Sequence, residues 1–205
     1  MRPRTGRPGA LLLTPGAGSG KDHHTLVAID EAVSPLPVSR VDFPYRNEGR
    51  KPPDRAPKLI ASVVADAAAF VAQVPCSPER LLLGGRSMGG RMCSMAVAEG
   101  LPAAGLILLS YPLHPPGKPE RLRVEHLPDL TVPCLFISGT RDPFGTPEEL
   151  EAATATIPGR VTHHWLDGGR HDVKNADDEI CSVVVAWIHG LPAVSPLTEP
   201  PHPPG

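Results

Sequence analysis

The chain has 205 residues, of which 40% are hydrophobic and 4% aromatic. This length suits one domain with tails, and the composition excludes a fully disordered or fibrous protein. The 20 Lys and Arg residues nearly balance the 22 Asp and Glu residues, giving a net charge of −2. The charge balance therefore gives no reason to expect a nucleic acid or an anionic membrane as a partner.

Short apolar runs alternate with amphipathic segments over residues 9–191. The runs predict strands at 10–14, 38–43, 80–84, 105–110, 134–138 and 161–166. Helical periodicity predicts helices at 22–33, 58–74, 88–99, 147–157 and 175–191. Apolar strands separated by helices are typical of an α/β fold with a mostly parallel sheet covered on both faces, here of about six or seven strands.

Proline-rich and polar segments divide the rest of the chain. Residues 1–8 are expected to be a flexible arm, residues 9–191 the folded domain, and residues 192–205 a disordered tail. Within the domain, the proline-containing segments 44–57 and 111–131 are predicted to be irregular.

Neither the cysteines nor the apolar segments suggest secretion or a membrane span. The apolar run at 10–13 is shorter than the ~7–15 residues of a secretion signal, and no segment approaches the ~18 apolar residues of a membrane helix. The cysteines are far apart without a C-x-x-C pair, which favours free thiols in a reducing compartment. The sequence predicts a cytoplasmic protein with these four cysteines reduced: Cys76, Cys93, Cys134 and Cys181.

Three residues of types that can act in nucleophilic catalysis each follow a predicted strand. Ser87 follows the strand at 80–84, Asp142 the strand at 134–138, and His171 the strand at 161–166. Because the carboxyl ends of parallel strands lie at one edge of a sheet, a Ser-His-Asp catalytic triad is expected there. Asp167 and Asp172 are rival acids, but both share a loop with His171, so Asp142 is the better placed to orient the imidazole.

The stretch GGRSMGGRM, residues 84–92, indicates how the serine is presented. Residues 85–89 fit G-x-S-x-G, a tight strand-to-helix turn that exposes the serine hydroxyl above the sheet. The backbone N–H of Met88, at a helix N-terminus, is a candidate donor to an oxyanion. A second donor is expected from Ala17 or Gly18, in the glycine-rich loop that follows the first strand.

Alternative readings of the glycine-rich loop and of the histidines are weaker. Residues 16–21 fit neither a phosphate loop nor a dinucleotide loop, because the required glycines are Pro15 and Lys21 instead. The pairs His23-His24 and His163-His164 have no cysteine or carboxylate at ligand spacing, so no metal and no cofactor is expected.

Five segments together resemble the α/β-hydrolases: TPGAGSGKDH, LLLGGRSMGGRM, YPLHPPGKPE, GTRDPFG and GGRHDVK. The resemblance is to the small dienelactone-hydrolase-like group of predicted hydrolases, which includes a testis-expressed protein and a subunit of a histone-acetyltransferase complex. It spans about residues 10–190 and implies Ser87 as nucleophile, His171 as base and Asp142 as acid. The chain departs from the wider fold in lacking a helical cap domain and an antiparallel first hairpin. Dienelactone hydrolases proper have a cysteine where this chain has Ser87, so lactone cleavage is not implied.

These observations predict a serine hydrolase that acts on small or medium acyl esters as its small-molecule partner. The alternative is a catalytically silent interaction protein that keeps the fold. Arginines precede each triad residue, which raises the hypothesis of a basic cleft mouth at Arg86, Arg141 and Arg170. The expected substrate-binding residues are His23, Arg86, Tyr111, His114 and Phe144.

Overall fold

A computed structural model describes residues 6–192 of the chain. Residues 1–5 of the expected arm and 193–205 of the expected tail lie outside the described residues. Residues 6–8 run beside Arg80, whose Nε donates a 2.8 Å hydrogen bond to the carbonyl of Arg7. The N–H of Gly9 donates to the carbonyl of Arg80 at 2.9 Å, so the chain is already tied to its neighbour where the first strand begins.

The described residues contain one sheet of six strands, all parallel. In chain order the strands are β1 (Ala10–Thr14), β2 (Val38–Arg40), β3 (Leu81–Arg86), β4 (Gly105–Leu109), β5 (Cys134–Gly139) and β6 (Val161–Leu166). Their order across the sheet is β2-β1-β3-β4-β5-β6. The predicted parallel sheet is confirmed, with β1 between β2 and β3 and no antiparallel hairpin before it within residues 6–192.

The described residues contain six α-helices, five between strands and one after β6. They are α1 (His24–Ala32), α2 (Pro44–Asn47), α3 (Ala56–Val71), α4 (Met88–Ala98), α5 (Pro147–Thr154) and α6 (Asp177–Gly190). Helix α2 lies in a segment predicted to be irregular, with Pro44 in its first turn, where a missing N–H costs nothing. Within residues 6–192 no cap domain is present, and none of the helices combines the length and apolar character needed to cross a bilayer.

Alternate side chains of the strands pack into two hydrophobic layers, one on each face of the sheet. Leu12, Leu83 and Leu108 point to the layer built with α3, α4 and α5. Leu11, Leu82 and Ile107 point to the layer built with α1 and α6. Because both faces are buried, these strands need apolar residues at every position, which is why they show no polar alternation.

The strand order changes direction at β1. The chain moves from β1 to β2 on one side and then returns to place β3 on the other side of β1. In open α/β sheets, ligands bind at the carboxyl edge beside such a switch point. The loops that leave β1 and β3 both start at this edge, and they carry the glycine-rich loop and Ser87.

Candidate active site

Ser87 occupies a strained turn between β3 and α4. Its φ of 52° and ψ of −120° are far from the usual regions of a non-glycine residue. The N–H of Ser87 donates a 2.8 Å hydrogen bond to the carbonyl of Leu109, at the end of β4, which ties the turn to the next strand. A strained backbone that its surroundings hold in place is common at functional sites.

Small residues around Ser87 are required by close backbone packing. A Cβ on Gly85 or on Gly89 would collide with Thr14, at the end of β1. The Oγ1 of Thr14 in turn donates a 3.1 Å hydrogen bond to the carbonyl of Gly84. The G-x-S-x-G pattern is therefore explained by the contact between the turn and β1.

His171 and Asp142 complete a continuous hydrogen-bonded chain with the serine. The Nε2 of His171 lies 2.8 Å from Ser87 Oγ. The Nδ1 of His171 lies 2.8 Å from Asp142 Oδ2 and 3.0 Å from Oδ1. Since a carboxylate accepts only, Nδ1 carries the proton and Nε2 is free to accept from the serine hydroxyl. The three predicted triad residues are thus brought together by the fold.

Asp142, rather than a carboxylate of the histidine loop, contacts the imidazole. Its side chain is buried, with 4% of the residue exposed, and its Oδ1 also accepts the N–H of Phe144 at 2.9 Å. Asp167 is exposed, and the half-buried Asp172 pairs with Lys174 at 3.3 Å. The choice of Asp142 over these two rivals agrees with the geometry.

The loops that carry Asp142 and His171 are packed directly against each other. A Cβ on Gly139 would collide with the backbone of Gly169. The N–H of Arg141 donates to the carbonyl of Gly169 at 2.8 Å, and the N–H of Gly168 donates to Thr140 Oγ1 at 2.8 Å. These contacts fix the separation of the carboxylate and the imidazole.

The glycine-rich loop lies beside the serine. A Cβ on Gly16 would come within 3.5 Å of Ser87 Cβ, so the loop backbone passes directly over the hydroxyl-bearing carbon. The N–H groups of Ala17, Gly18 and Met88, the predicted oxyanion donors, donate no hydrogen bond to an acceptor within residues 6–192. The carbonyl of Ala17 accepts a 2.9 Å bond from the hydroxyl of Tyr45, a residue that sequence reasoning missed.

Arg86 lies between the serine and the histidine loop. Its Nη2 donates a 2.9 Å hydrogen bond to the carbonyl of His171, while its Nε has no partner within the described residues. Burial lowers the pKa of the Arg86 guanidinium. His23 is half-buried just before α1. Burial and the charge of Arg86 both lower the pKa of His23, so the two side chains interact electrostatically.

Phe144 contacts the histidine, whereas two other predicted substrate contacts lie elsewhere. The ring of Phe144 stacks on His171 with centroids 4.0 Å apart. Tyr111 is only 2% exposed, and its hydroxyl donates to the carbonyl of Arg123 at 2.8 Å. His114 is 5% exposed, with Nε2 3.3 Å from Glu149. The prediction that these two residues contact substrate is therefore wrong. Both side chains are buried and hold the segment after β4 in place, because that segment turns back onto the core.

The histidine pairs have other neighbours, and a large cavity lies away from the serine. Among residues 6–192 no group of three His, Cys, Asp or Glu side chains is arranged to hold a metal ion. His24 pairs with Asp177 at 2.6 Å, and His163 stacks on Trp165 with centroids 5.2 Å apart. A cavity of about 520 Å³, lined partly by Gly9, Pro37 and Arg80, lies at the amino ends of β1, β2 and β3, away from the serine.

Sequence reasoning missed several residues that position the site. Gly16 lies closer to the serine than the sequence indicated, and Tyr45 and Gly139 were not singled out. The run FPYRN, with proline in a first helical turn beside two aromatic residues, was a signal for the short helix that carries Tyr45. The glycine that closes the run CLFISG was a comparable signal for a close backbone approach.

The family model of the alpha/beta hydrolase domain matches residues 7–183. The chain belongs to the alpha/beta hydrolase family. This assignment agrees with the dienelactone-hydrolase-like resemblance of its motifs, and a dienelactone hydrolase is among the similar structures described next.

Solved structures with this fold include several hydrolases. The chain is 15% identical to Est1E from Butyrivibrio proteoclasticus, with a TM-score of 0.70 over 89% of this chain and 88% of that one. It is 16% identical to a dienelactone hydrolase from Anabaena variabilis, with a TM-score of 0.68 over 91% and 88%. An alpha-beta serine hydrolase homologue from Coxiella burnetii is 15% identical, with a TM-score of 0.70 over 91% and 88%. At these identities the likeness concerns the fold.

Proposed function

We propose that the protein is a serine hydrolase that cleaves small or medium acyl esters through Ser87, His171 and Asp142. The observation that carries the proposal is the unbroken hydrogen-bonded chain, with Oγ to Nε2 at 2.8 Å and Nδ1 to the carboxylate at 2.8 Å. Family membership and the esterase and serine hydrolase among the similar folds support the same class of reaction.

The acylation step follows from this geometry. Ser87 Oγ attacks the ester carbonyl carbon while its proton passes to His171 Nε2, and Asp142 stabilises the imidazolium. The tetrahedral intermediate then breaks its bond to the alcohol oxygen, which takes the proton from Nε2 and leaves as an alcohol. The product is an ester between Ser87 and the acyl group.

Water completes the cycle by the same route in reverse. His171 removes a proton from water, the resulting nucleophile attacks the acyl-enzyme carbonyl, and the proton returns to Ser87 Oγ as the carboxylic acid is released. The N–H groups of Met88 and Ala17 are the proposed donors to the intermediate oxyanion, with Gly18 as an alternative to Ala17. Each such donor typically contributes about 3 kcal/mol to transition-state stabilisation.

Two further features belong to the proposal. The cleft beside His171 has a volume of about 270 Å³ and no cap domain covers it within residues 6–192, which suits a small or medium acyl ester. The four cysteines are free, which supports action in the reducing cytoplasm.

A fluorophosphonate probe tests the proposal directly, because an activated serine displaces its fluoride and becomes phosphonylated. We expect labelling of the wild type and loss of labelling in Ser87→Ala, with a mass increase confined to the peptide that contains Ser87. The matched control is Ser182→Ala, on the exposed side of α6, which should label like the wild type. Absence of labelling in the folded wild type would favour the catalytically silent interaction protein.

A further inference from the structure

A cleft opens directly beside the imidazole of His171. It has a volume of about 270 Å³ and is lined by Arg86, Pro143, Arg170, His171 and Asp172. Since Ser87 Oγ is 2.8 Å from His171 Nε2, a molecule that fills this cleft would lie next to the reacting carbonyl. Two of the side chains in this cleft are guanidiniums.

Arg86 forms no direct salt bridge among residues 6–192, although the charges of Asp172 and Asp142 act on it from a distance. Its hydrogen bond goes to the neutral carbonyl of His171, and its Nε has no partner. Arg40 shows the usual arrangement in this protein, with Asp22 at 2.8 Å and Asp30 at 2.9 Å. A half-buried cation without a direct ion pair is costly, because burial removes part of its water and no carboxylate replaces that water at contact distance.

The acidic groups near the cleft are already engaged. Asp142 accepts from His171 and from the N–H of Phe144. Asp172 is half-buried, lines the cleft and pairs with Lys174 at 3.3 Å. Burial and, after it, the charge of Arg86 lower the pKa of His23, so the charge of Arg86 also acts on this neighbouring residue. The cleft therefore keeps a net positive character.

We propose that the ester substrate carries a carboxylate a few bonds from its reacting carbonyl, and that Arg86 and Arg170 bind this carboxylate. The proposal rests on the serine-hydrolase function above and names its substrate class. The basic rim expected from the sequence is thereby reduced to two residues, because Arg141 does not line the cleft. A planar guanidinium matches a carboxylate well, and the partly desolvated Arg86 strengthens that contact.

Isosteric pairs of esters test the proposal. Ethyl hydrogen succinate and ethyl succinamate differ only in carboxylate against carboxamide on the acyl side. Carboxymethyl butanoate and carbamoylmethyl butanoate make the same comparison on the alcohol side. We expect kcat/KM to favour the carboxylate by about tenfold in at least one pair at low salt, and the preference to shrink towards unity as KCl is raised to about 0.5 M.

Variants separate a contact in the cleft from a general effect of net charge. Arg170 is exposed, so Arg170→Gln is expected to fold and to lose most of the carboxylate preference. Arg160→Gln removes the same charge from the amino end of β6, at the opposite edge of the sheet, and should keep the wild-type preference. Arg86→Lys, which keeps the charge but loses the fork geometry, should reduce the preference less than Arg86→Gln does.

The outcomes distinguish the two proposals. Hydrolysis of both members of each pair at equal rates, without salt dependence, would overturn the carboxylate preference and leave the serine hydrolase intact. Equal loss of preference in Arg170→Gln and Arg160→Gln would also overturn it, since a general field rather than the cleft would then be responsible. Absence of hydrolysis of all four esters together with absence of fluorophosphonate labelling would reject the hydrolase itself.

Discussion

The orientation of His171 is determined by few contacts. Asp142 accepts from Nδ1, Phe144 stacks on the ring at 4.0 Å, and Arg86 holds the backbone carbonyl. The imidazole thus has its tautomer, its plane and its main-chain position each fixed by a different neighbour. This arrangement keeps Nε2 directed at Ser87 without any contribution from substrate.

Replacing Asp142 by Asn tests the importance of the tautomer. In Asp142→Asn the amide can donate to Nδ1, which would place the imidazole proton on Nε2, where it cannot accept from Ser87. We expect kcat to fall by about 10⁴-fold with little change in thermal stability. Steady-state kinetics with an alkyl ester, alongside circular dichroism melting, measure both quantities. Retention of a tenth or more of the wild-type kcat would contradict a role for this carboxylate.

Individual site residues were predictable where strand order constrained them. Ser87, Asp142 and His171 each follow an apolar strand, so the parallel sheet alone places them at one edge. Tyr111 and His114 also follow a strand, yet both side chains are buried, because the segment 111–131 to which they belong folds back onto the core. The sequence pattern cannot indicate this, because it locates the start of a loop and not the direction in which the loop folds.

At the scale of elements, the site depends on how closely two loops approach. The loop after β5 and the loop after β6 meet at Gly139 and Gly169, where no side chain can be accommodated. Val173 and Asn175 in the second loop have φ of 42° and 59°, which are strained values for residues with side chains. The loop is therefore held in place by its neighbours rather than by its own preferences.

The Gly139→Ala variant tests this packing. The added methyl group would push the two loops apart and move the imidazole relative to Ser87, and a displacement of about 1 Å can cost about 100-fold in rate. We expect at least that loss in kcat/KM. The control is Gly190→Ala, where an added Cβ meets nothing within 4 Å and activity should remain at the wild-type level. Full activity in Gly139→Ala would contradict the proposed loop contact.

The segment after β4 is anchored by a half-buried histidine, His126. His126 Nε2 lies 2.8 Å from Ser94 Oγ on α4, and burial, with a further effect of the Arg91 charge, lowers the pKa of His126 to about 4. The folded state therefore resists protonation of His126 at a pH where the unfolded chain, with a pKa near 6.5, is protonated. Stability must decrease as the pH falls through this window.

The pH dependence of stability measures this effect. Between pH 6.5 and 4 the titration of His126 should remove about 2 kcal/mol from the free energy of unfolding, after allowance for its partial contact with solvent. His126→Gln keeps a polar group near Ser94 but cannot titrate, so it should lose less stability over the same range. Urea denaturation of both proteins at the two pH values gives the comparison. Parallel losses in the two proteins would show that other groups dominate.

At the scale of the whole molecule, the architecture was predictable and the exact element ends were not. Continuous apolar runs with intervening amphipathic helices are sufficient to indicate a parallel sheet covered on both faces. Helix α1 begins at His24 rather than at 22, because the side chain of His23 accepts the N–H of Thr25 and caps the helix. Local capping of this kind depends on side-chain geometry that periodicity does not contain.

The thiols provide a measurement of global unfolding. Burial raises the pKa of Cys93 and of Cys134 to about 12, so neither forms an appreciable thiolate near pH 8. In the native protein, Ellman's reagent should react mainly with the half-buried Cys181. In about 8 M urea, which unfolds a small domain, all four thiols should react. The Cys181→Ser variant should remove the fast native reaction. Rapid native modification of Cys93 would contradict the burial described here.

The position of β6 has a consequence for how activity is lost. Among residues 6–192 this strand pairs only with β5, at the outer border of the sheet, and it leads directly into the loop that carries His171. Ser87 follows β3, which lies well inside the sheet. Local unfolding of this edge strand would displace His171, the proton acceptor, while Ser87 and most of the core stayed folded. Catalytic activity should therefore be lost at a lower temperature than that of global unfolding.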